Sequence, residues 1–318
     1  MKKAYSFALL CLLMFSTLLL NGQSLEKYRN DFTKLKFGMF IHFNMGTFHE
    51  KEWVEPGQNP QTFNPTKLNC RQWAKAAKSA GMKYAVLTTK HHDGFCLWDS
   101  KTTTYDVAST PLKGRDIVRE FCTAFRKEGL EPHIYFSIWD RTLGIEGDIT
   151  NEEITLIKTQ LKELLTNYGQ FRSITFDGWG NCGTKWTQAN HDTLYQYIKS
   201  LQPQILITDH YQLRRKLPLE EVYKNVDFFH FEEPWGEWTP EGNTFAAQQG
   251  PTIQSEWFWK RKFPNEQLMS VDNIINKHLA VLDKRNCNFL LNCAPNMDGL
   301  MDDNVVKRLA EVGKIYKK

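Results

Sequence analysis

Carboxylates, imidazoles and tryptophans recur directly behind short apolar runs in this sequence. His42 and Asn44 close FGMFIHFN, and Lys90-His91-His92-Asp93-Gly94-Phe95 follows YAVLTT. Trp139-Asp140-Arg141 follows HIYFSI, Asp177-Gly178-Trp179 follows SITF, Asp209-His210 follows ILIT, and Asn292 ends NFLLN. An Asp set straight after an apolar strand and before Gly has few roles in folding beyond a helix cap or a loop ion pair. Either of those accounts for any one such Asp. Carboxylates, imidazoles and Trp at several such ends together point instead to a sugar site. Glycoside hydrolysis needs two carboxyl groups, one acting at the anomeric carbon and one protonating the leaving oxygen. Flat aromatic faces suit the C–H face of a sugar ring, and many of the ten Trp lie near turns. Core packing is the commoner use of an aromatic.

His42, His91 and His92 also invite a zinc reading. On a continuing strand the adjacent His91 and His92 point to opposite faces, so one ion is not expected to take both. Neutral imidazoles suit sugar hydroxyls better. No metal and no other cofactor is expected.

The elements that must position these residues alternate between β-rich runs and amphipathic helical runs, the pattern of a parallel α/β fold. Strands are expected at 37–43, 84–89, 133–138, 173–176 and 205–208. Helices are expected at 71–80, 116–127, 152–167 and 192–201, with Gly81, Gly129 and Gly169 as stops. Further on, 226–231 and 252–258 read as strands six and seven, and Ser270 as the cap of a helix through 282. An eighth strand at 288–291 and a closing helix at 302–315 complete a (β/α)8 barrel of the TIM type. Such a barrel takes about 250 residues, most of this 318-residue chain. Its active residues lie at the C-terminal ends of the strands, where the residues above fall.

Composition bounds the rest. Apolar content of 41% and charged content of 24% are those of a globular protein. A net charge of +4 without Lys/Arg runs gives no sign of nucleic-acid binding. Lys2 and Lys3, the apolar stretch 4–20 and the polar exit Asn21-Gly22-Gln23-Ser24 read as a cleaved signal peptide over 1–23, with the catalytic barrel over 24–318. The stretch is short for a membrane span and contains Ser and Thr. A secreted or periplasmic protein with no stable membrane association is therefore expected. Cys70, Cys96, Cys122, Cys182, Cys287 and Cys293 sit partly in apolar runs and read as buried free thiols, and their spacing shows no zinc pattern.

The segments KFGMFIHFNMGTFHEKEW (36–53), AGMKYAVLTTKHHDGFCLWDS (80–100), ITFDG (174–178) and NFLLNCAPNMDG (288–299) resemble the α-L-fucosidases of glycoside hydrolase family 29. The resemblance runs from about residue 35 to the C-terminus. It implies a barrel catalytic domain, no metal, a fucosylated glycan as substrate, and hydrolysis with retention through a fucosyl-enzyme intermediate. By position, Asp177 matches the family's nucleophile and His42 the His of its first strand. His91 and His92 match the paired His that hold fucose hydroxyls, and Tyr135 a sugar-contacting Tyr. Glu52 and Trp53 match a Glu-Trp bordering the fucose pocket. The Trp257-Phe258-Trp259 segment resembles the branch acting on α-1,3/1,4-linked fucose.

This sequence departs from the family pattern twice. Many members carry a β-sandwich after the barrel, and none is expected here because the chain ends soon after Gly299. The acid/base Glu that members of that branch carry nine residues before the WFW segment is here Gln248, and an amide cannot donate and retake a proton. Glu52, Glu233, Glu237 and Glu256 are the candidates to replace it, Glu52 first because of its place beside the sugar. Two alternatives stay open: a vestigial fucose-binding member with little turnover, and an exo-glycosidase for another sugar.

Overall fold

In the computed structural model, which describes residues 25–316, eight strands stand side by side in the order β5-β4-β3-β2-β1-β8-β7-β6. They are β1 (Phe37–Ile41), β2 (Tyr84–Lys90), β3 (Glu131–Ser137), β4 (Ser173–Asp177), β5 (Leu206–Asp209), β6 (Phe229–Glu232), β7 (Ala247–Gly250) and β8 (Cys287–Asn292). Every pair in that order is parallel. The edges β5 and β6 approach each other through Asp227 N–H to the Ile207 carbonyl (2.7 Å) and the Thr208 hydroxyl to the Phe228 carbonyl (2.6 Å). The result is the expected (β/α)8 barrel, nearly closed.

Alternation along each strand decides what faces the barrel axis. In β6, Phe229 and Phe231 pack in the large outer core, and His230 and Glu232 take the opposite face. In β4, Ile174 and Phe176 join the same outer core, which leaves Ser173, Thr175 and Asp177 facing inward. Phe40, Tyr84, Val86, Tyr135 and Leu290 form an inner cluster. Below it, Phe32 of the helix over 25–33 packs on Tyr84 and Phe228, with ring centroids 6.0 and 4.5 Å away. The lower end of the barrel is thereby filled, and its polar upper end is left for chemistry.

Helix ends follow local capping chemistry. Asn69, Asp116 and Thr187 each accept a backbone N–H at the start of their helices. Thr150 and Glu153 form a reciprocal capping box that starts Asn151–Asn167. The Ser270 hydroxyl accepts from Asn273 N–H, as expected, but the helix that follows is π-wound over Asn273–Leu279 before Ala280–Asp283.

Strand seven is a correction. It is Ala247–Gly250, not 252–258. The true strand reads AQQG and is fully buried, so its polar residues are paired inside the protein rather than marking a loop. Thr239 N–H and hydroxyl both bond Gln249, and Gln248 bonds His230 and Tyr84. The aromatic run after it is a loop that carries Trp257 and Phe258 into the inner cluster. All six cysteines of the described residues are buried and free, as expected. No helix among the described residues is long and apolar enough to cross a membrane. The expected signal peptide lies outside the described residues.

Candidate active site

The upper end of the barrel holds a cleft of about 500 Å³ lined by His42, Glu52, Trp53, His91, His92, Asp177 and Trp257 among others. A second hollow, of about 600 Å³, lies where the chain enters β3, β4 and β5, around Glu131, Arg172 and Gln202. Its charges satisfy each other, with Arg172 Nε 2.8 Å from Glu131 Oε2, and no His or Trp lines it. The chemistry therefore belongs to the upper cleft.

Asp177 ends β4. Tyr135, one strand away, donates its hydroxyl to Asp177 Oδ2 at 2.7 Å, and Gly178 N–H donates to Oδ1 at 2.6 Å. Gly178 has φ +90, and a Cβ there would lie 2.6 Å from Trp139 atoms, so the turn that returns this N–H to the carboxylate requires glycine. Burial pulls the Asp177 carboxyl upward in pKa. His210, His92, the Tyr135 hydroxyl and the Gly178 N–H outweigh it and hold the group well below the usual carboxylate range. Asp177 is thus a carboxylate at any working pH, with both oxygens oriented.

His42, His91 and His92 beside it are neutral. Asn292 spends its amide on the Trp257 carbonyl (2.8 Å), so its Oδ1 accepts from His42 Nδ1 (2.7 Å) and leaves His42 Nε2 as an acceptor. Burial pushes His42 down to about 3. The Ser137 hydroxyl is committed to the Trp139 carbonyl (2.7 Å) and therefore accepts from His92 Nδ1 (2.7 Å). His92 Nε2 then lies 3.6 Å from Asp177 Oδ2, and burial takes His92 down to about 4. His91 is held well below its usual value by burial and by His92. Opposite facing of His91 and His92 required the strand to continue through them; β2 ends at Lys90, and the two rings lie 4.1 Å apart, both on the cleft. The other residues of the KHHDGF run build the frame. Lys90, fully buried, pairs with Asp140 (2.9 Å) and Gln160 (2.8 Å), and Asp93 accepts from Tyr105 (3.0 Å).

The carboxyl candidates separate cleanly. Glu233 is turned away, bonded to His278 Nε2 (3.0 Å) and Gln249 Nε2 (3.1 Å). Glu256 is paired with Lys260 (3.0 Å) and Lys262 (3.3 Å), and neither Glu233 nor Glu256 lines the cleft. Glu237 lines it, but its oxygens are taken by Arg214 Nε (3.3 Å) and Glu232 N–H (3.1 Å). Glu52 lines it and is pushed up to about 7 by burial and by the charges of Glu232, Asp177 and Glu256.

Sequence reasoning missed Glu232. This buried carboxyl ends β6 on the cleft, with Oε2 3.1 Å from His210 Nδ1 and 3.5 Å from Arg214 Nη2. Burial raises its pKa; His210 opposes the rise, and Asp177 and Glu237 add to it. Burial alone would lower His210, but Glu232 and Asp177 carry it up to about 9. The FHFE alternation was the available signal, and an expected strand ending at Phe231 stopped one residue short of it. Gln248 sits level with His230 in the β6–β7 register, whereas Glu232 stands level with Gly250, one pleat nearer the mouth. Gln248 is fully buried, between His230 Nδ1 (2.6 Å) and the Tyr84 hydroxyl (3.4 Å). It is an internal strut in this protein, and it does not line the cleft.

Among the described residues, two groups bring possible metal ligands within 4.8 Å of one another, His210–His230–Glu232 and His92–Asp177–Cys182. In the first, Glu232 is already paired with His210 (3.1 Å) and with Arg214 (3.5 Å), whose cation opposes a metal ion there. In the second, both Asp177 oxygens already accept hydrogen bonds, from Tyr135 and Gly178. The donor chemistry suits proton transfer and hydrogen bonding.

A family model described as alpha-L-fucosidase matches residues 19–318. The chain belongs to this family. Among curated relatives, alpha-L-fucosidase 1 of Arabidopsis thaliana is 32% identical over 87% of this chain and 57% of its own length. A second plant relative, from Oryza sativa subsp. japonica, is 31% identical over 88% of this chain and 56% of its own length. The chain thus spans little more than half the length of these curated relatives. Alpha-L-fucosidase isoenzyme 1 from Paenibacillus thiaminolyticus superposes with a TM-score of 0.78 at 30% identity, covering 92% of this chain and 76% of that one. A Bacteroides thetaiotaomicron family 29 enzyme, solved as a trapped covalent intermediate with 2-fluoro-fucosyl fluoride, superposes with a TM-score of 0.73 at 25% identity over 90% and 73%.

Proposed function

We propose that this chain is a retaining exo-α-L-fucosidase in which Asp177 is the nucleophile and Glu232 the general acid/base. The observation that carries the reading is the contrast within one cleft. Asp177 is held ionised by Tyr135, Gly178 and His210, while Glu232 is raised by its burial and by the Asp177 charge. A pair of carboxyls driven apart in this way can divide attack and protonation between them.

In the first step Asp177 attacks the fucosyl anomeric carbon as the glycosidic bond breaks, and Glu232 passes its proton to the leaving oxygen. Esterification removes the Asp177 charge that held Glu232 up, so Glu232 stays ionised once its proton has gone, the form a general base needs. It then takes a proton from water, whose oxygen attacks the anomeric carbon and frees Asp177, restoring both groups. The neutral acceptors His42 Nε2 and His92 Nε2 suit the sugar's hydroxyl protons. Trp257, 4.9 Å from His42 between ring centroids, supplies an apolar wall that favours a methyl over a hydroxymethyl group. Its WFW setting supports α-1,3/1,4-linked fucose. The charged start and apolar stretch of 1–23 support export to the periplasm or beyond.

A second reading gives the acid role to Glu52, supported by its shift to about 7. We place Glu232 first because it is fixed at a strand end, whereas Glu52 stands in a loop beside Trp53 and the paired His. A vestigial binder is disfavoured, since Gln248 does not stand where a leaving oxygen would be. The test pairs an aryl α-L-fucoside with a fucosylated oligosaccharide, using Asp177→Ala as the blank. Turnover of both, lost in the variant, supports the reading. Binding of fucose without turnover of either contradicts it.

A further inference from the structure

Five large hydrophobic side chains are exposed among the described residues, and three are Trp53 (41%), Trp235 (54%) and Trp238 (56%). Two of these, Trp53 and Trp235, line the cleft. Exposed aromatic rings gathered on one polar-rimmed cleft mark a surface that a ligand covers. Trp53 belongs to the sugar-holding wall, packed edge-on to His92 and Trp139 at 6.0 and 5.7 Å. Trp235 has no part in the nucleophile's surroundings. It ends the short turn Glu233–Trp235 that leaves β6 directly after Glu232.

Its position is fixed from beneath. The Arg214 guanidinium lies 5.3 Å from the Trp235 ring centroid while also reaching Glu232 (3.5 Å) and Glu237 (3.3 Å). Glu237 in turn accepts from Glu232 N–H (3.1 Å), folding the loop back on the strand end. One Arg therefore ties the exposed ring to the carboxyl that faces the leaving oxygen, and the group next to that oxygen is the leaving group.

We infer that Trp235 is the stacking platform for the leaving group, and that this group is a second pyranose ring presenting a C–H face. This deepens, and rests on, the retaining-hydrolysis reading.

The test compares kcat/KM on a fucosylated disaccharide with kcat/KM on α-L-fucosyl fluoride, whose leaving group has no ring. Trp235→Ala lowers the disaccharide-to-fluoride ratio about ten-fold, the size of one aromatic stacking contact, and Trp235→Tyr recovers part of it. Trp238→Ala, equally exposed but outside the cleft lining, leaves the ratio where it was. The basic limb of the disaccharide pH profile stays in place in Trp235→Ala, which separates a lost platform from a displaced Glu232. Fluoride turnover shows that each variant is folded. A ratio unchanged in Trp235→Ala, or one that falls equally in Trp238→Ala, overturns the platform alone. A native enzyme inactive on both substrates overturns the hydrolysis reading and the platform with it.

Discussion

Replacing Glu232 by Gln keeps the side chain's size and removes its proton. Loss of a general acid costs about 10²–10⁴-fold, or about 3–5 kcal/mol at 1.36 kcal/mol per decade. That cost falls only on bonds whose leaving oxygen needs a proton. For Glu232→Gln we expect kcat/KM on a fucosylated oligosaccharide to fall by that factor, and on a dinitrophenyl α-L-fucoside by far less. Azide, needing no base, should attack the fucosyl-Asp177 ester from the face opposite Asp177 and yield the α-fucosyl azide. The same change removes the carboxylate 3.1 Å from His210, so His210 should fall from about 9. Glu52→Gln, on the sugar-holding wall, should weaken both substrates alike. If Glu52→Gln shows the leaving-group dependence and azide rescue while Glu232→Gln does not, the acid is Glu52 and our ordering of the two carboxyls is wrong.

Tyr135→Phe removes a 2.7 Å hydrogen bond to Asp177. A bond to a charged group is worth about 1.5–3 kcal/mol, so kcat/KM should drop about 10–100-fold and the acidic limb of the pH profile should move up, as steady-state kinetics across pH would report. Gly178→Ala forces a left-handed backbone and a Cβ against Trp139; a loss of about 1–3 kcal/mol in denaturant titration should accompany loss of turnover. The buried neutral His42 and His92 refuse protons that the unfolded chain accepts below about 6.5, so they stabilise the fold above that pH. Stability should fall on acidification from there toward about 4, by up to about 1.4 kcal/mol per pH unit for each group. His210 has the opposite sign: its contribution is present below about 6.5 and is lost as pH rises through about 9, and urea titrations across pH would separate the two limbs.

Much of this site was legible because barrel geometry turns sequence order into position. Asp177, His42 and the His91-His92 pair could be placed at the mouth once an apolar run was read as a strand. The failures came where that rule loses its signal. β7 is polar because Gln248 is bonded on the axis side and Gln249 on the other, each to a buried partner, and an aromatic loop after it imitated the missing strand. β6 was read as ending one residue early, which hid Glu232. Gln248 looked like a lost acid because an alignment position says nothing of depth; the β6–β7 register puts it one pleat below the cleft. The frame around Asp177, from Asn292 through His42 to Trp257 and from Ser137 to His92, depends on contacts between distant strands that no local pattern encodes.

The central claim is that Asp177 bonds covalently to the sugar. The most direct measurement is intact and peptide mass spectrometry after incubation with 2-fluoro-fucosyl fluoride, whose fluorine slows release of the intermediate. Our account predicts one added 2-fluoro-fucosyl group per chain, located on the peptide containing Asp177 and absent in Asp177→Ala. Labelling at Glu52 or Glu232, or turnover with no trapped adduct and inverted product, would contradict it.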